Sequence, residues 1–274
     1  MAWGDRKDVR SHRDLCAIMS DGYVKHTVNE GIATVTFHHP KSNSLPGHIL
    51  RGMANAITTC GKDPSVRVIV LRSEGEKAFC AGASFDELVA IEDGARGLEF
   101  FSGFARVINA IRTVPVFVIG RIHSHCVGGG VGIACAVDIA YATTNATIRL
   151  SELAVGIGPF VVGPAVERKV GTGHFGLLSA TPATKRSAQW AEQNGIYAEL
   201  FETIEALDAR LDAHARELAA YSPEAMTDIK RVLWKGTEDW DQLLIERAKI
   251  SGRLVLSDFT RSAIAAFKEA AAKR

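Results

Sequence analysis

Cys126-Val127-Gly128-Gly129-Gly130-Val131-Gly132-Ile133-Ala134-Cys135-Ala136-Val137-Asp138 is the stretch on which the reading of this chain turns. It follows the strand-like run Val114 to Ile122 and passes into apolar residues without a helix breaker, so it predicts a strand, a tight turn and a buried helix. Consecutive glycines open backbone angles closed to other residues and let a ligand reach the main chain without meeting a Cβ. A helix start also leaves amide N–H groups unpaired at the positive end of the helix dipole. Such a turn can hold an anion, or an oxygen that becomes one during reaction.

Working outward, Phe79-Cys80-Ala81-Gly82-Ala83-Ser84-Phe85-Asp86-Glu87-Leu88 repeats the arrangement. It has the strand Val66 to Arg72 before it, small residues at the turn and a helical stretch after it. Two facing turns of this kind would supply two converging N–H donors, the geometry of an oxyanion hole. A carboxylate follows in Leu150-Ser151-Glu152-Leu153. The run Gly128 to Gly132 lacks the spacing of a dinucleotide fingerprint, and no Lys-Ser/Thr pair follows it as in a phosphate-binding loop.

Taken in order, these segments resemble the crotonase, or enoyl-CoA hydratase/isomerase, superfamily. Phe79 to Ala83 is similar to that family's first oxyanion segment, Val127 to Gly130 to the second, and Ser151-Glu152-Leu153 with Gly156 and Pro159 to the third. Pro40-Lys41-Ser42-Asn43-Ser44-Leu45 resembles the loop at the coenzyme A (CoA) entrance. The resemblance runs from about Tyr23 to the C-terminus. It implies an α/β fold, a spiral of ββα repeats with a C-terminal helical trimerisation region. It divides the chain into an N-terminal extension (1–20), a spiral core carrying the thioester site (21–200) and a helical oligomerisation region (201–274).

The same resemblance implies the chemistry. The amides of Ala81 and Gly129 polarise a thioester carbonyl, and Glu152 is the acid/base. Lys41, Ser42, Asn43, Ala83, Ser84, Phe85, Gly128, Pro159, Phe160, Phe267 and Lys268 are the expected CoA- and acyl-binding residues, with Lys273 and Arg274 as further cations. No metal and no separate cofactor is expected, since CoA is part of the substrate. The expected activity is that of an enoyl-CoA hydratase or isomerase. An acyl-CoA decarboxylase and a catalytically weak acyl-CoA-binding protein are the alternatives. The expected assembly is a homotrimer or a dimer of trimers.

Two departures from the family pattern stand out. The family's two-carboxylate members carry a second Glu at the position of Gly132, which has no side chain to titrate. At Gly158-Pro159-Phe160-Val161-Val162-Gly163 a phenylalanine and two valines stand where the family has glycines, which predicts a bulkier, more apolar acyl end. His125 offers an imidazole near the glycine turn, Asp86 and Glu87 lie near the first turn, and Asp138 reads as capping or paired.

Bulk properties narrow the classes. The chain has 274 residues and a formal net charge of +1, so nothing points to nucleic acid or a basic membrane-binding face. Five cysteines without paired spacing suit a reducing compartment and no zinc cluster. Residues 1–20 mix charges and lack an apolar stretch, and no run reaches the roughly 20 apolar residues of a membrane span. The expectation is a soluble cytoplasmic enzyme.

For local structure, Tyr23 to Val28 and Ile32 to Phe37 predict a hairpin about Asn29-Glu30-Gly31. Helices are expected over 49–57, 84–91 and 98–111, and from Ser187 onward, with Ser222-Pro223 ending one of them. Trp234 and Trp240 read as core or interface anchors.

Overall fold

The computed structural model describes residues 21–272; the N-terminal extension (1–20), Lys273, Arg274 and the side chain of Lys268 lie outside the described residues. Strands β1 (Tyr23–Asn29) and β2 (Ile32–His38) form the expected antiparallel hairpin, with Asn29 opposite Ile32. Glu30 and Gly31 take the positive φ values that this tight turn demands. Helix α1 (Gly47–Lys62) follows, and its buried face, Ile49, Leu50, Met53 and Ile57, has the spacing read from the sequence.

From there the chain repeats one pattern. Strand β3 (Val68–Ser73) belongs to a large sheet; the short β4 (Ala78–Cys80) belongs to a small one; helices α2 (Phe85–Val89) and α3 (Gly94–Thr113) follow. Next come β5 (Phe117–Ile122), the short β6 (His125–Val127) and helix α4 (Gly129–Ala136). Then β7 (Ile139–Thr143), β8 (Ile148–Arg149), a 3₁₀ turn (Glu152–Val155) and helix α5 (Gly163–Ala180) complete the series. The large sheet has the order β1-β2-β3-β5-β7-β9, closed by β9 (Glu199–Phe201), and the small sheet β4-β6-β8. All strand-to-strand pairings of the two sheets after the hairpin are parallel, so each turn of chain advances one strand in both sheets together.

The centre of the large sheet is covered on both faces, which is why β3, β5 and β7 read as mostly apolar runs. Ile69 and Leu71 of β3 enter the main core with α1 and α3. Val68 and Val70 point the other way, against Leu207, Leu211 and Leu218 of α7 (Ile204–Ala220). Side-chain caps open several helices: Ser84 for α2, Asp93 for α3, Ser187 for α6 (Ala188–Gln193), Thr203 for α7 and Ser222 for α8 (Pro223–Leu233). Ser222-Pro223 therefore opens a helix as well as closing one. Helix α9 (Trp240–Leu254) crosses α3 with Gly97 against Gly252, where a Cβ on either would collide with the other backbone. Trp234 and Trp240 stack edge to face at 5.7 Å in the core. Helix α10 (Asp258–Ala272) packs on α2 and on the 3₁₀ turn.

The helix over 163–180 is absent from the sequence reading. Gly163, Gly171, Gly173 and Gly176 interrupt its helical pattern, and the chain does break helical geometry at Gly171 (φ 72°). Among the described residues no helix is long and apolar enough to cross a membrane.

Candidate active site

Strands β4, β6 and β8 end at Cys80, Val127 and Arg149. The residues that follow them are Ala81 to Ala83, Gly128 to Gly129 and Ser151 to Glu152. Because the three strands are parallel neighbours, segments up to about seventy residues apart emerge side by side, with the glycine turn in the middle. The packing there excludes side chains. A Cβ on Gly82 would lie 3.0 Å from the Val127 carbonyl, and one on Gly128 would lie 3.2 Å from Glu152 Oε1. Gly128 has φ 53° and ψ −120°, a conformation that only glycine takes without strain. Any side chain at Gly129 would run into the ring of Phe104.

The first turn differs from the sequence expectation. The Ala81 N–H donates to the Ser42 carbonyl at 3.2 Å, so it is not an open donor. Ala83 forms a parallel bridge with Leu45, in which Leu45 N–H donates to the Gly82 carbonyl and Ser84 N–H to the Leu45 carbonyl. In a parallel bridge the central residue's own N–H points to the opposite side. Among the described residues the Ala83 N–H has no acceptor, and neither does that of Gly129, the first residue of α4. Both residues line one chamber of about 70 Å³.

Glu152 lines the same chamber and is its one ionisable side chain among the described residues; Phe85, Phe101, Phe104, Val155 and Phe160 make much of the rest. The residue as a whole is half-buried, but its Oε2 is shut off from solvent and has no partner among the described residues. Burial pushes its carboxyl up to about 7, against smaller pulls from neighbouring backbone amides and the Arg149 charge. Such a group is poised to exchange a proton near neutral pH.

At Gly132 the missing acid is matched by a filled space. A Cβ there would strike the Val162 side chain, and Val162 also lines the chamber. Gly132→Glu by itself is therefore expected to destabilise the fold by about 1–3 kcal/mol through overpacking. Combining it with Val162→Gly should recover part of that loss. A double-mutant cycle on urea denaturation checks the coupling; strictly additive costs would show that the two positions do not share this space.

Other expected residues separate into those that line the chamber and those spent on structure. Phe85 and Phe160 are half-exposed and Pro159 is buried, and all three line the chamber. Ser84 caps α2 through its hydroxyl, which accepts from the Glu87 N–H. Asn43 is buried and spends its amide on the carbonyls of Glu74 and Ala78 while its carbonyl oxygen accepts from the His39 N–H. It thereby holds a loop in which Ser42 and Asn43 both have positive φ. Glu87 accepts from the Gly47 N–H at 2.8 Å at the start of α1, and Lys41 pairs with Asp86; neither acid lines the chamber. His125 is bound to Thr147, and burial lowers its pKa. His123 is buried and pushed down to about 4. Neither histidine lines the chamber.

On the outer side of Ala81 and Ala83 runs a groove of about 370 Å³, lined by Lys41, Ser42, Ser44, Phe85, Asp86 and Phe267 among others. Phe267 of α10 stacks on Phe85 at 5.8 Å, so the C-terminal helix of the same chain walls this groove. Val161 and Val162, expected at the acyl end, do line the chamber, whereas sequence reasoning missed Phe101, Phe104 and Ser251. The only sequence signal of the two phenylalanines is apolar periodicity, which does not say which cavity a buried face meets.

The family model for enoyl-CoA hydratase/isomerase matches residues 27–272. The methylglutaconyl-CoA hydratase of Rattus norvegicus is 31% identical over 216 residues, covering 77% of this chain and 68% of that protein. The short-chain-enoyl-CoA hydratase of Clostridium acetobutylicum is 27% identical over 241 residues, covering 87% and 91%. An enoyl-CoA hydratase structure from Bacillus halodurans superposes with a TM-score of 0.82 at 20% identity, covering 89% of this chain and 99% of that one. The fold is thus the crotonase fold, and the chain belongs to the enoyl-CoA hydratase/isomerase family of enzymes.

Proposed function

We propose that this enzyme moves a proton between carbons of an enoyl-CoA thioester, with Glu152 as the only acid/base and the amides of Ala83 and Gly129 as the oxyanion hole. The observation that carries the reading is the lone carboxylate, up to about 7, in an otherwise apolar chamber that also receives two unpaired amides. In the forward direction ionised Glu152 takes a proton from the α-carbon of a 3-enoyl thioester. The C–H electron pair moves into a dienolate whose negative oxygen faces the two N–H groups. Glu152 then returns the proton to the γ-carbon, and the double bond ends conjugated with the carbonyl. Each oxyanion donor of this kind is worth about 2.7–4 kcal/mol of barrier.

Allylic shift is favoured over hydration by Val162. Water addition needs a second polar group to orient the water, and the space beside Gly132 is filled by an apolar side chain. The groove along Lys41, Ser42 and Phe267 supports the reading as the channel for the CoA moiety. Assembly as a trimer and a cytoplasmic location belong to the same proposal by family likeness. The test is turnover of matched 2-enoyl- and 3-enoyl-CoA substrates in deuterated water, read by mass spectrometry. The expected product is the shifted alkene with no added oxygen, carrying deuterium at the γ-carbon only to the extent that Glu152 exchanges its proton with solvent before returning it. A hydroxyacyl product as the main outcome would replace the isomerase reading with the hydratase one.

A further inference from the structure

Of the successive amides of Ala81, Gly82, Ala83 and Ser84, all but one are spent. The Ala81 N–H donates to the Ser42 carbonyl and the Ser84 N–H to the Leu45 carbonyl, each at 3.2 Å. The Gly82 N–H donates to the thiol sulfur of Cys80 at 3.4 Å, inside the protein. The Ala83 N–H is the one left open among the described residues. The peptide plane that carries it also carries the Gly82 carbonyl, which accepts from the Leu45 N–H at 2.8 Å. This plane and the one before it meet at Gly82, whose φ of 93° lies in a region where glycine turns without steric cost. Sterics alone therefore do not fix the turn. The preceding plane is held by the Cys80 sulfur.

Cys80 is wholly buried and ends β4 just beyond a slip in the β4–β6 ladder, where Ala78 pairs with His125 and Cys80 with Cys126. Irregularities of this kind beside a site re-aim a side chain. The Cys80 side chain also reaches the second turn. A Cβ on Gly130 would lie 2.7 Å from Cys80 Cβ and 3.0 Å from its sulfur. Gly130 follows Gly129, the other open donor, in α4. One side chain thus touches both turns, yet Cys80 is not among the residues that line the chamber. Burial pushes its thiol up to about 12, so near neutral pH the sulfur is an uncharged acceptor.

We propose that Cys80 is a positioning residue for the oxyanion hole: its sulfur fixes the Gly82 peptide, and its bulk sets the separation of the Ala83 and Gly129 amides. It meets no substrate atom and acts through Gly82 and Gly130. The proposal rests on the reading of those two amides as the oxyanion hole and deepens it. Without the sulfur both amides remain, but the Gly82 N–H is stranded in the interior and the first turn swings to find it a partner.

The test is infrared difference spectroscopy of a saturated acyl-CoA, isotope-labelled at the thioester carbonyl, bound to the full-length protein, alongside steady-state kinetics. Bound to wild type, the carbonyl stretch is expected at lower frequency than in water, because two aligned donors weaken the C=O bond. Cys80→Ala should lose about half of that displacement, as one of two donors is misaimed. It should lower kcat about 10–100-fold while KM stays within about twofold, the signature of an interaction made in the transition state. Cys80→Ser, whose hydroxyl can still accept from the Gly82 N–H, should recover most of both. Cys80→Val fills the space without accepting and should behave as the alanine variant; it decides the matter where Cys80→Ala does not fold. A folded alanine or valine variant with the wild-type carbonyl frequency, whatever its stability, overturns the assignment of Cys80 and leaves the oxyanion reading standing. A wild-type complex with the carbonyl frequency of the free thioester overturns the oxyanion reading and this proposal with it.

Discussion

Glu152→Gln lowers turnover of the best enoyl-CoA substrate by about 10²–10⁴-fold, the usual worth of a positioned general acid/base, while thioester binding is kept. The substitution preserves the size of the side chain and removes the one ionisable side chain that lines the chamber among the described residues. Steady-state kinetics with parallel calorimetry checks it; a folded variant with wild-type turnover would falsify the role of Glu152. The raised carboxyl adds two pH signatures. The base must be ionised, so kcat/KM of the wild type should rise with pH and level off above about 7. Stability should run the other way. The folded state holds this proton more tightly than the unfolded chain does, because the folded value, about 7, lies above the ordinary 4.5. The contribution is fully present below the unfolded value and is lost as pH rises through the folded one, on the order of 3 kcal/mol in all. In Glu152→Gln that decline should vanish. Urea denaturation across this range tests the point; identical pH profiles for the two proteins would mean that the carboxyl is not held in its neutral form by burial.

Asp138→Ala should cost about 3–5 kcal/mol of stability, the usual penalty for breaking a buried ion pair from one side. Asp138 Oδ2 lies 2.9 Å from Lys230 Nζ, and both side chains are almost wholly buried. The same carboxylate accepts from the Trp234 indole and the Val118 N–H, each at 2.7 Å. Lys230 also donates to the carbonyls of Ile111 and Val116, and Lys169 to that of Asp138. The pair therefore joins β5 and the start of β7 to helices α5 and α8, and the alanine variant would leave an ammonium uncompensated in the core. The double substitution Asp138→Leu with Lys230→Met should cost less than either single change, because no charge is then stranded. Chemical denaturation of the three variants decides. A loss below about 1 kcal/mol for Asp138→Ala would show that Lys230 finds another counter-charge or deprotonates cheaply.

Most of the secondary-structure elements were readable from local sequence. The hairpin at Glu30-Gly31, the amphipathic face of α1, the apolar strands of the large sheet and the caps of later helices are local matters of turn geometry, periodicity and side-chain reach. The three short segments at Ala81–Ala83, Gly128–Gly129 and Glu152 were legible as a candidate site because their order resembles that of the enoyl-CoA hydratase/isomerase family. Tertiary structure alone decided the rest. Which amide of the first turn is open depends on the Ser42 carbonyl, a partner nearly forty residues away that takes Ala81 and leaves Ala83. Whether Gly132 marks an empty place or a filled one depends on Val162, thirty residues downstream. The position of Phe160 between two cavities, and the placing of Phe267 over its own chain's groove, follow from how helices dock. Local sequence sets what a segment can do with its own backbone. Which hydrogen bonds are already used, and which volumes are already occupied, is fixed by segments distant in sequence that the two parallel sheets bring into register.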